Sequence, residues 1–301
     1  MLRLEIQPMS MQGGRSYQED SFGTATCNHV ACIAVADGAG GHGGGHIASQ
    51  LAVRAVTDLH QSEAEFSVAH LEKLIAYSHD VVKAGQQKFD RYPDMRSTIV
   101  VALVSLRTGR VLLGNVGDSR GYVFSRGELK WQTRDHSMVQ QMVDAGLITA
   151  AQVRTQPQRS VLLASLGMEE SPKPHLLEVP VACTAGDALM LCTDGLWEYV
   201  TEDFMASMLR EQLDPEQTLS HFEAQVLHSA PPGHDNYTAL LATIKIDISG
   251  NAPDGDDTVR QTDFDDTVVR PVTLADLTEP ATPLPAATEE PPSTQPKEGS
   301  A

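Results

Sequence analysis

Short apolar runs, each stopped by turn-forming residues, recur from "LRLEIQPM" to "NYTALLATIKI" and set the strongest limit on how this chain folds. Between those two lie "VACIAVAD", "STIVVALVSL", "RVLLGNVG", "GYVFS", "HLLEVPV" and "DALMLCTD", with "RTG", "DSR" and "SRGE" as hairpin-like dividers. Runs of this length separated by tight turns predict strands in mostly antiparallel sheet. Helical spacing interrupts them early: Ile47, Leu51, Ala55 and Leu59 share one face, and Leu71, Leu74, Ile75, Val82 and Phe89 another. Further on, a helix is expected from Ser137 to a Gly146 cap, and Thr149 with Gln152 makes a capping box for the next. Runs of strands followed by pairs of helices predict an α+β layered domain rather than an alternating βαβ fold.

The pattern stops near Ile248. Residues 249–301 hold 8 of the 17 prolines and one aromatic residue, too little apolar surface to offset the entropy of ordering. Residues 1–248 therefore read as the folded domain and 249–301 as a disordered acidic Pro/Thr-rich tail. A formal charge of −18, without basic clusters, argues against nucleic acid, whose phosphates require clustered Lys and Arg. The longest apolar runs are too short to cross a bilayer, and "MLRLEIQPMSMQ" lacks the basic start and apolar core of an export signal. Cys27, Cys32, Cys183 and Cys192 sit in or beside strand-like runs with no CxxC pair, which fits a reducing cytoplasm. A monomer is the default.

Aspartates at strand ends carry the chemistry. Asp37-Gly38 closes "VACIAVA", Asp194-Gly195 closes "DALMLCT", Asp118 follows "RVLLGNVG", and Asp235 precedes "NYTALLATI". Singly, an Asp-Gly is a turn dipeptide. If the strand ends converge, each ionised pair repels by roughly 4 kcal/mol at 4 Å and moderate dielectric, so the group must protonate or hold metal. Oxygen ligands suit Mg²⁺ or Mn²⁺ rather than zinc, and Gly38, without a side chain, allows its carbonyl close to an ion.

"GGRSYQED", "VADGAGG", "RSTIVVALV", "VGDSR", "RDHS", "LCTDGLW" and "GHDNYTALL" occur in the order and spacing of the protein phosphatase 2C family, metal-dependent Ser/Thr protein phosphatases, and the chain resembles its bacterial branch over nearly all of residues 10–246. The resemblance implies two packed, mainly antiparallel β-sheets flanked by pairs of antiparallel helices, an α-β-β-α sandwich. It implies that Asp37, Asp194 and Asp235 bind two Mn²⁺ or Mg²⁺ ions, with Asp37 bridging and the Gly38 carbonyl completing one shell. Glu19 and Asp20 resemble the acidic pair that holds metal-bound waters, Arg15 the arginine that grips substrate phosphate with its planar fork, and Asp118 the ligand of a third, looser ion. Glu198, four residues after Asp194, stands where relatives are expected to supply another acid to that ion. Two such cations lower the pKa of a bridging water enough to supply hydroxide, which attacks phosphorus in line with the departing Ser or Thr oxygen, without a phosphoenzyme.

The match has gaps. Ala39 stands where animal and plant relatives have a histidine thought to protonate the leaving alcohol; His42 is nearby, and His46 replaces a common bacterial glutamate. The stretch Ser160–Gly167 lacks an expected arginine, and a specificity flap is expected over roughly residues 144–166. Other chemistries fit worse. Zinc at His42 and His46 needs a helical turn that Gly43, Gly44 and Gly45 disfavour. The glycine-rich loop has neither the GxGxxG pattern nor the βαβ context of a dinucleotide site. A cysteine phosphatase needs arginine six residues after its thiolate, where Ile33, Gly38, Leu189 and Glu198 stand. The D-x-D-x-T pattern of an aspartyl phosphatase occurs at Asp254–Thr258 and Asp263–Thr267, but neither follows a strand. The alternative from another class is a catalytically degenerate phosphoprotein-binding module, against which stands the retention of every expected carboxylate.

Those two tail segments form a tandem nine-residue repeat, "DGDDTVRQT" and "DFDDTVVRP". Beside a plain acidic linker stands a reading in which a cognate Ser/Thr kinase phosphorylates Thr258 and Thr267 and a forkhead-associated domain docks there, tethering the enzyme near phosphorylated protein substrates.

Overall fold

Alternation along the strands leaves two sheets with an apolar face on each side to bury. The computed structural model describes residues 1–39, 44–247 and the backbone of 259–260. In chain order come β1 (Leu2–Met11), β2 (Asp20–Cys27), β3 (Val30–Ala39), α1 (Gly45–Glu63), α2 (Val68–Lys88), β4 (Arg96–Ser97), β5 (Ile99–Ser105), β6 (Arg110–Val116), β7 (Arg120–Ser125) and β8 (Glu128–Gln132). Then follow α3 (Met138–Asp144), a 3₁₀ turn (Ala150–Thr155), β9 (His175–Leu176), β10 (Val181–Ala182), β11 (Ala188–Cys192), α4 (Asp194–Trp197), α5 (Glu202–Arg210), α6 (Pro215–Ser229), β12 (Tyr237–Ile246) and β13 (Val259–Arg260).

One sheet runs β1-β12-β11-β7-β8; the other runs β10-β6-β5-β3-β2-β13, with β4 on β3 and β9 on β6. Every pairing is antiparallel. Phe22, Ile33, Val100, Leu113, Leu191 and Leu240 fill the space between the sheets. Leu51, Val56, Leu71 and Ile75 of α1 and α2 cover one outer face, and Leu196, Met205, Leu219 and Phe222 of α4–α6 the other. The expected α-β-β-α sandwich is the fold observed.

The helix signals act as read, with one shortening. Ser137 accepts from the Gln140 N–H at 3.3 Å, and Gly146 takes the left-handed φ of 69° that ends the α3 segment. The Thr149 N–H donates to Gln152 Oε1 at 2.8 Å, but the helix expected there is only a 3₁₀ turn, because Pro157 pushes Gln156 into extended backbone. "HLLEVPV" is not one strand: β9 and β10 are separate two-residue pairings around Pro180, which has no N–H to give the ladder. Two residues of the tail expected to be wholly disordered, Val259 and Arg260, form β13 on the edge of β2. The rest of that tail, with Thr258 and Thr267, lies outside the described residues, as does His42.

A histidine pair joins α1 to α2 beneath the sheet. Buried His60 approaches the Val30 carbonyl with Nε2 at 3.0 Å and His70 Nε2 with Nδ1 at 3.3 Å. One tautomer satisfies both contacts, with His60 Nε2–H donating and its Nδ1 accepting from His70. Burial, above all, pushes His60 down from 6.5 to about 4; the Val30 bond opposes this and His70 adds to it. The unfolded chain thus binds a proton that the native one refuses between those values. The stabilising contribution is complete above pH 6.5 and is lost as pH falls toward 4, by up to about 3 kcal/mol. Unfolding free energies from urea titrations at pH 7 and 4.5 are expected to differ by about 1–3 kcal/mol less in His60→Gln than in wild type; equal pH dependence in both chains contradicts this.

Candidate metal centre

The antiparallel register places Asp20, the first residue of β2, directly opposite Asp37 near the end of β3. Asp37 is held from both backbone sides: its N–H donates to Thr98 Oγ1 at 2.9 Å and its carbonyl accepts from the Thr98 N–H at 2.8 Å. The Thr98 hydroxyl lies 2.6 Å from that of Ser119, which ties β3 to the β6–β7 turn and hence to buried Asp118. Trp197 Nε1 donates to the Asp118 carbonyl at 2.8 Å, so the same turn is gripped from α4, whose first residue is Asp194.

A second set of contacts gathers the remaining acids. Thr193, just ahead of α4, donates its hydroxyl to Asp20 Oδ2 at 2.9 Å and accepts from the Thr238 N–H at 3.0 Å, locking β11, β12 and β2 together. Asn236 Oδ1 accepts from the Glu19 N–H at 2.9 Å, while its Nδ2 donates to the carbonyls of Gln12 and Tyr17. One amide therefore pins the loop bearing Arg15 and Glu19 to the segment bearing Asp235. Arg15 Nη2 meets Asp235 Oδ2 at 2.5 Å on the exposed side of the site.

Glycine is required where α1 begins. A Cβ at Gly38 would stand 2.0 Å from the Gly45 carbonyl oxygen, and one at Gly45 would stand 2.4 Å from Glu19 Oε1. The Glu19 carboxylate thus lies at the start of α1, where its own pKa, raised chiefly by burial, is drawn back down by the Gly45 and His46 N–H groups.

The acids act on one another. Burial first, then Asp20, Asp194, Asp118 and Asp235, hold Asp37 well above the usual carboxylate range. Burial and then Asp235 and Glu198 raise Asp194 to about 7, despite a hydrogen bond with Asp37. Asp20 rises to about 8, mainly by burial, and Asp118 rises well above its ordinary value through burial and then Asp194. Asp20 Oδ1, Asp194 Oδ1 and Glu19 Oε1 are buried without a hydrogen-bond partner. Among the described residues no three His, Cys, Asp or Glu side chains stand together closely enough to hold a metal ion as they are. What the site offers is oxygen-only donors, several orphaned and mutually repelling, a set that fits hard divalent cations.

The register sets Asp20 opposite Asp37, and Asp118, Asp194 and Asp235 act on Asp37 electrostatically, with Asp235 acting on Glu19, Gly38 next to Asp37 in sequence and Arg15 on Asp235. The His46 ring stands edge-on to Tyr92 at 6.4 Å, while its backbone serves Glu19. Ala39 ends β3 exposed. Glu198 accepts from Arg159 Nε at 2.5 Å, so an arginine one residue before the Ser160–Gly167 stretch reaches the acids from the flap segment. Sequence reasoning missed Arg159, and also missed Thr193, Asn236 and the stack of Arg120 on Trp197, 3.6 Å from ring centroid, which steadies α4. "CTDG" and "HDNY" carried signals for Thr193 and Asn236, a hydroxyl and an amide beside each acid.

Comparison with known proteins agrees with this geometry. The family model for protein phosphatase 2C matches residues 10–228. The serine/threonine phosphatase stp of Listeria monocytogenes is 31% identical over 236 residues, covering 75% of this chain and 90% of that protein. The crystal structure of the serine/threonine phosphatase PstP/Ppp of Mycobacterium tuberculosis superposes with a TM-score of 0.68 at 30% identity, over 81% of this chain and 99% of that one. The PstP catalytic domain in complex with two manganese ions gives 0.68 at 28% identity, over 82% and 100%.

Raised carboxyl groups carry a stability cost with a definite sign. Between the ordinary value of 3.8 and the folded values of about 7 and 8, the native state binds more protons than the unfolded one, so metal-free stability falls as pH rises through that window. With EDTA at pH 8, Asp194→Asn is expected to raise stability by about 1–3 kcal/mol in urea unfolding, and by less at pH 4.5. An unchanged or lower midpoint at pH 8 would show that the acids do not strain the fold.

Proposed function

The chain belongs to the protein phosphatase 2C family and is a metal-dependent protein serine/threonine phosphatase, and from that premise we propose which of its groups perform each task. The carrying observation is the set of buried aspartates from β2, β3, the β6–β7 turn and the start of α4, whose burial and mutual repulsion raise their pKa values. Buried carboxylates are costly unless paired or metal-bound, and no lysine or arginine neutralises Asp37 or Asp194 by a direct ion pair among the described residues.

Asp37, Asp194 and Asp235, with the Gly38 carbonyl, would hold two Mn²⁺ or Mg²⁺ ions, as the catalytic domain of PstP holds two manganese ions, and Asp118 a third, looser one. Such a pair, when bound, acidifies water and withdraws charge from phosphoryl oxygens. Glu19 and Asp20 supply the acceptors that orient water: Asp20 is fixed by Thr193 through Oδ2 and keeps Oδ1 unpartnered, and Glu19 keeps Oε1 unpartnered. Arg15, exposed in the loop between β1 and β2, would exchange its contact with Asp235 for the substrate phosphate, which its planar fork can grip with two parallel bonds. Around them, β2, β3 and α4 carry Asp20, Asp37 and Asp194, and hydrogen bonds through Asn236 and Trp197 tie down the loops bearing Glu19 and Asp118.

The substrates are phosphorylated proteins, and we assign their phosphorylation to a cognate Ser/Thr kinase. Thr258 and Thr267 would be phosphorylated in turn and dock a forkhead-associated domain, the acidic repeat being the supporting feature. The enzyme is read as a cytoplasmic monomer of one catalytic unit, residues 1–248; four free cysteines, three of them buried, support a reducing compartment. No described helix is long and apolar enough to cross a membrane.

Mn²⁺-dependent hydrolysis of p-nitrophenyl phosphate is expected to fall at least about a hundredfold in Asp194→Asn. Arg15→Ala is expected to lower kcat/KM on a phosphothreonine peptide by roughly 10–100-fold. Absence of hydrolysis in the Mn²⁺-loaded wild type would leave only the phosphoprotein-binding module. For the tail, peptides spanning residues 252–272 with and without phosphate are titrated against forkhead-associated domains; tighter binding of the phosphopeptide is expected, and equal weak binding of both ends that assignment.

A further inference from the structure

Each sheet in a sandwich has edge strands whose unpaired N–H and C=O groups invite another strand, and folded chains guard them with charge, proline, bulges or shortness. Three of the four outer strands here are guarded. β1 carries Arg3, Glu5 and Pro8; β8 carries Glu128 and Lys130 and joins β7 through an irregular register at Val123/Phe124; β10 is two residues long. β2, "DSFGTATC", has none of these devices after its first residue, the buried Asp20. It holds no lysine, arginine or proline and pairs with β3 in unbroken register from Asp20↔Asp37 to Cys27↔Val30. Its side chains are engaged on both faces: Phe22 lies between the sheets, and the Ser21 hydroxyl meets that of Ser49 on α1 at 2.9 Å. Only the row of backbone groups along its edge is left to pair.

That edge is where the tail returns. Val259 pairs with Thr24 and Arg260 with Gly23, antiparallel, in the middle of β2. Residues 248–258 supply roughly 36 Å of reach when extended, several times the ~10 Å that separates packed sheets. The pairing residues follow the "DDT" of the first acidic repeat, and the second repeat offers the same step in "DDTVV", with Val268 and Val269 in the places of Val259 and Arg260. β-branched residues suit an added strand.

We propose that the edge of β2 is a docking edge for this chain's own Thr-Val segments, filled in cis by Val259–Arg260 and open to the second repeat when the first is withdrawn. The tail then does for β2 what charge and proline do for the other edges. β2 begins with Asp20, so the docked segment braces a strand that ends in the metal centre.

Hydrogen–deuterium exchange of the full-length, Mn²⁺-loaded enzyme reads this directly at Ser21–Thr26. A chain with Val259→Pro, Arg260→Pro, Val268→Pro and Val269→Pro, unable to donate or extend at either repeat, is expected to exchange these amides roughly threefold or more faster than wild type. The chain with only Val259→Pro and Arg260→Pro is expected to keep most of the protection; loss in this chain equal to the four-proline chain overturns exchange between repeats. Identical exchange in wild type and the four-proline chain overturns the docking edge itself. Protection in wild type that grows with protein concentration assigns the edge to a second copy and overturns docking in cis.

Discussion

Carboxylates brought in on separate strands, buried and unable to retreat from one another, set the terms for everything around them. Asp37 feels Asp20, Asp194, Asp118 and Asp235 at once, and burial removes the water that would damp those interactions. An arrangement of this kind survives only if the scaffold is stiff enough to oppose the repulsion and the site takes up positive charge. The two sheets supply the stiffness. Their central strands β3, β5, β11 and β12 are almost wholly buried, and the acids sit at or just beyond strand ends, where backbone direction is already determined.

The sandwich alone would leave those ends free to spread. Short polar bridges prevent it: Thr98 between Asp37 and the turn of Asp118, Thr193 between Asp20 and β12, and Asn236 between Glu19 and the start of β12. None of these groups is expected to touch substrate. Each replaces a water-exposed contact with a buried one whose geometry permits little movement, which is how a site keeps its donors in place before its ligand arrives. Gly38 and Gly45 do the complementary work by leaving no side chain where β3 and the start of α1 meet.

Much of this was legible in the sequence because the signals are local. Asp-Gly after an apolar run marks both a strand end and a carboxylate at that end, and the motif order places Arg15, Glu19, Asp20 and Asp235 by resemblance. The α1 and α2 faces followed from spacing, and the Gly146 stop from one residue. What escaped needed partners far along the chain. β2 has small and polar residues, "GTAT", and reads as a strand only beside β3; α6, by contrast, has a local start signal that went unread, Asp214 as cap followed by Pro215 at N1. Nothing in the letters pairs Arg159 with Glu198 across the flap, or Val259 with Thr24. Such contacts are tertiary, and no periodicity encodes them.

The Asn236 bridge has a consequence for the birth of the enzyme. β1 pairs with β12 along its whole length, from Leu2↔Ile246 to Met11↔Tyr237, and Asn236 then clasps the loop that follows β1. β1 therefore waits for β12, and the long separation between them makes their meeting a late event in folding. Until that pairing closes, Arg15 and Glu19 have no fixed place beside Asp235, so a folding intermediate without it holds an incomplete site.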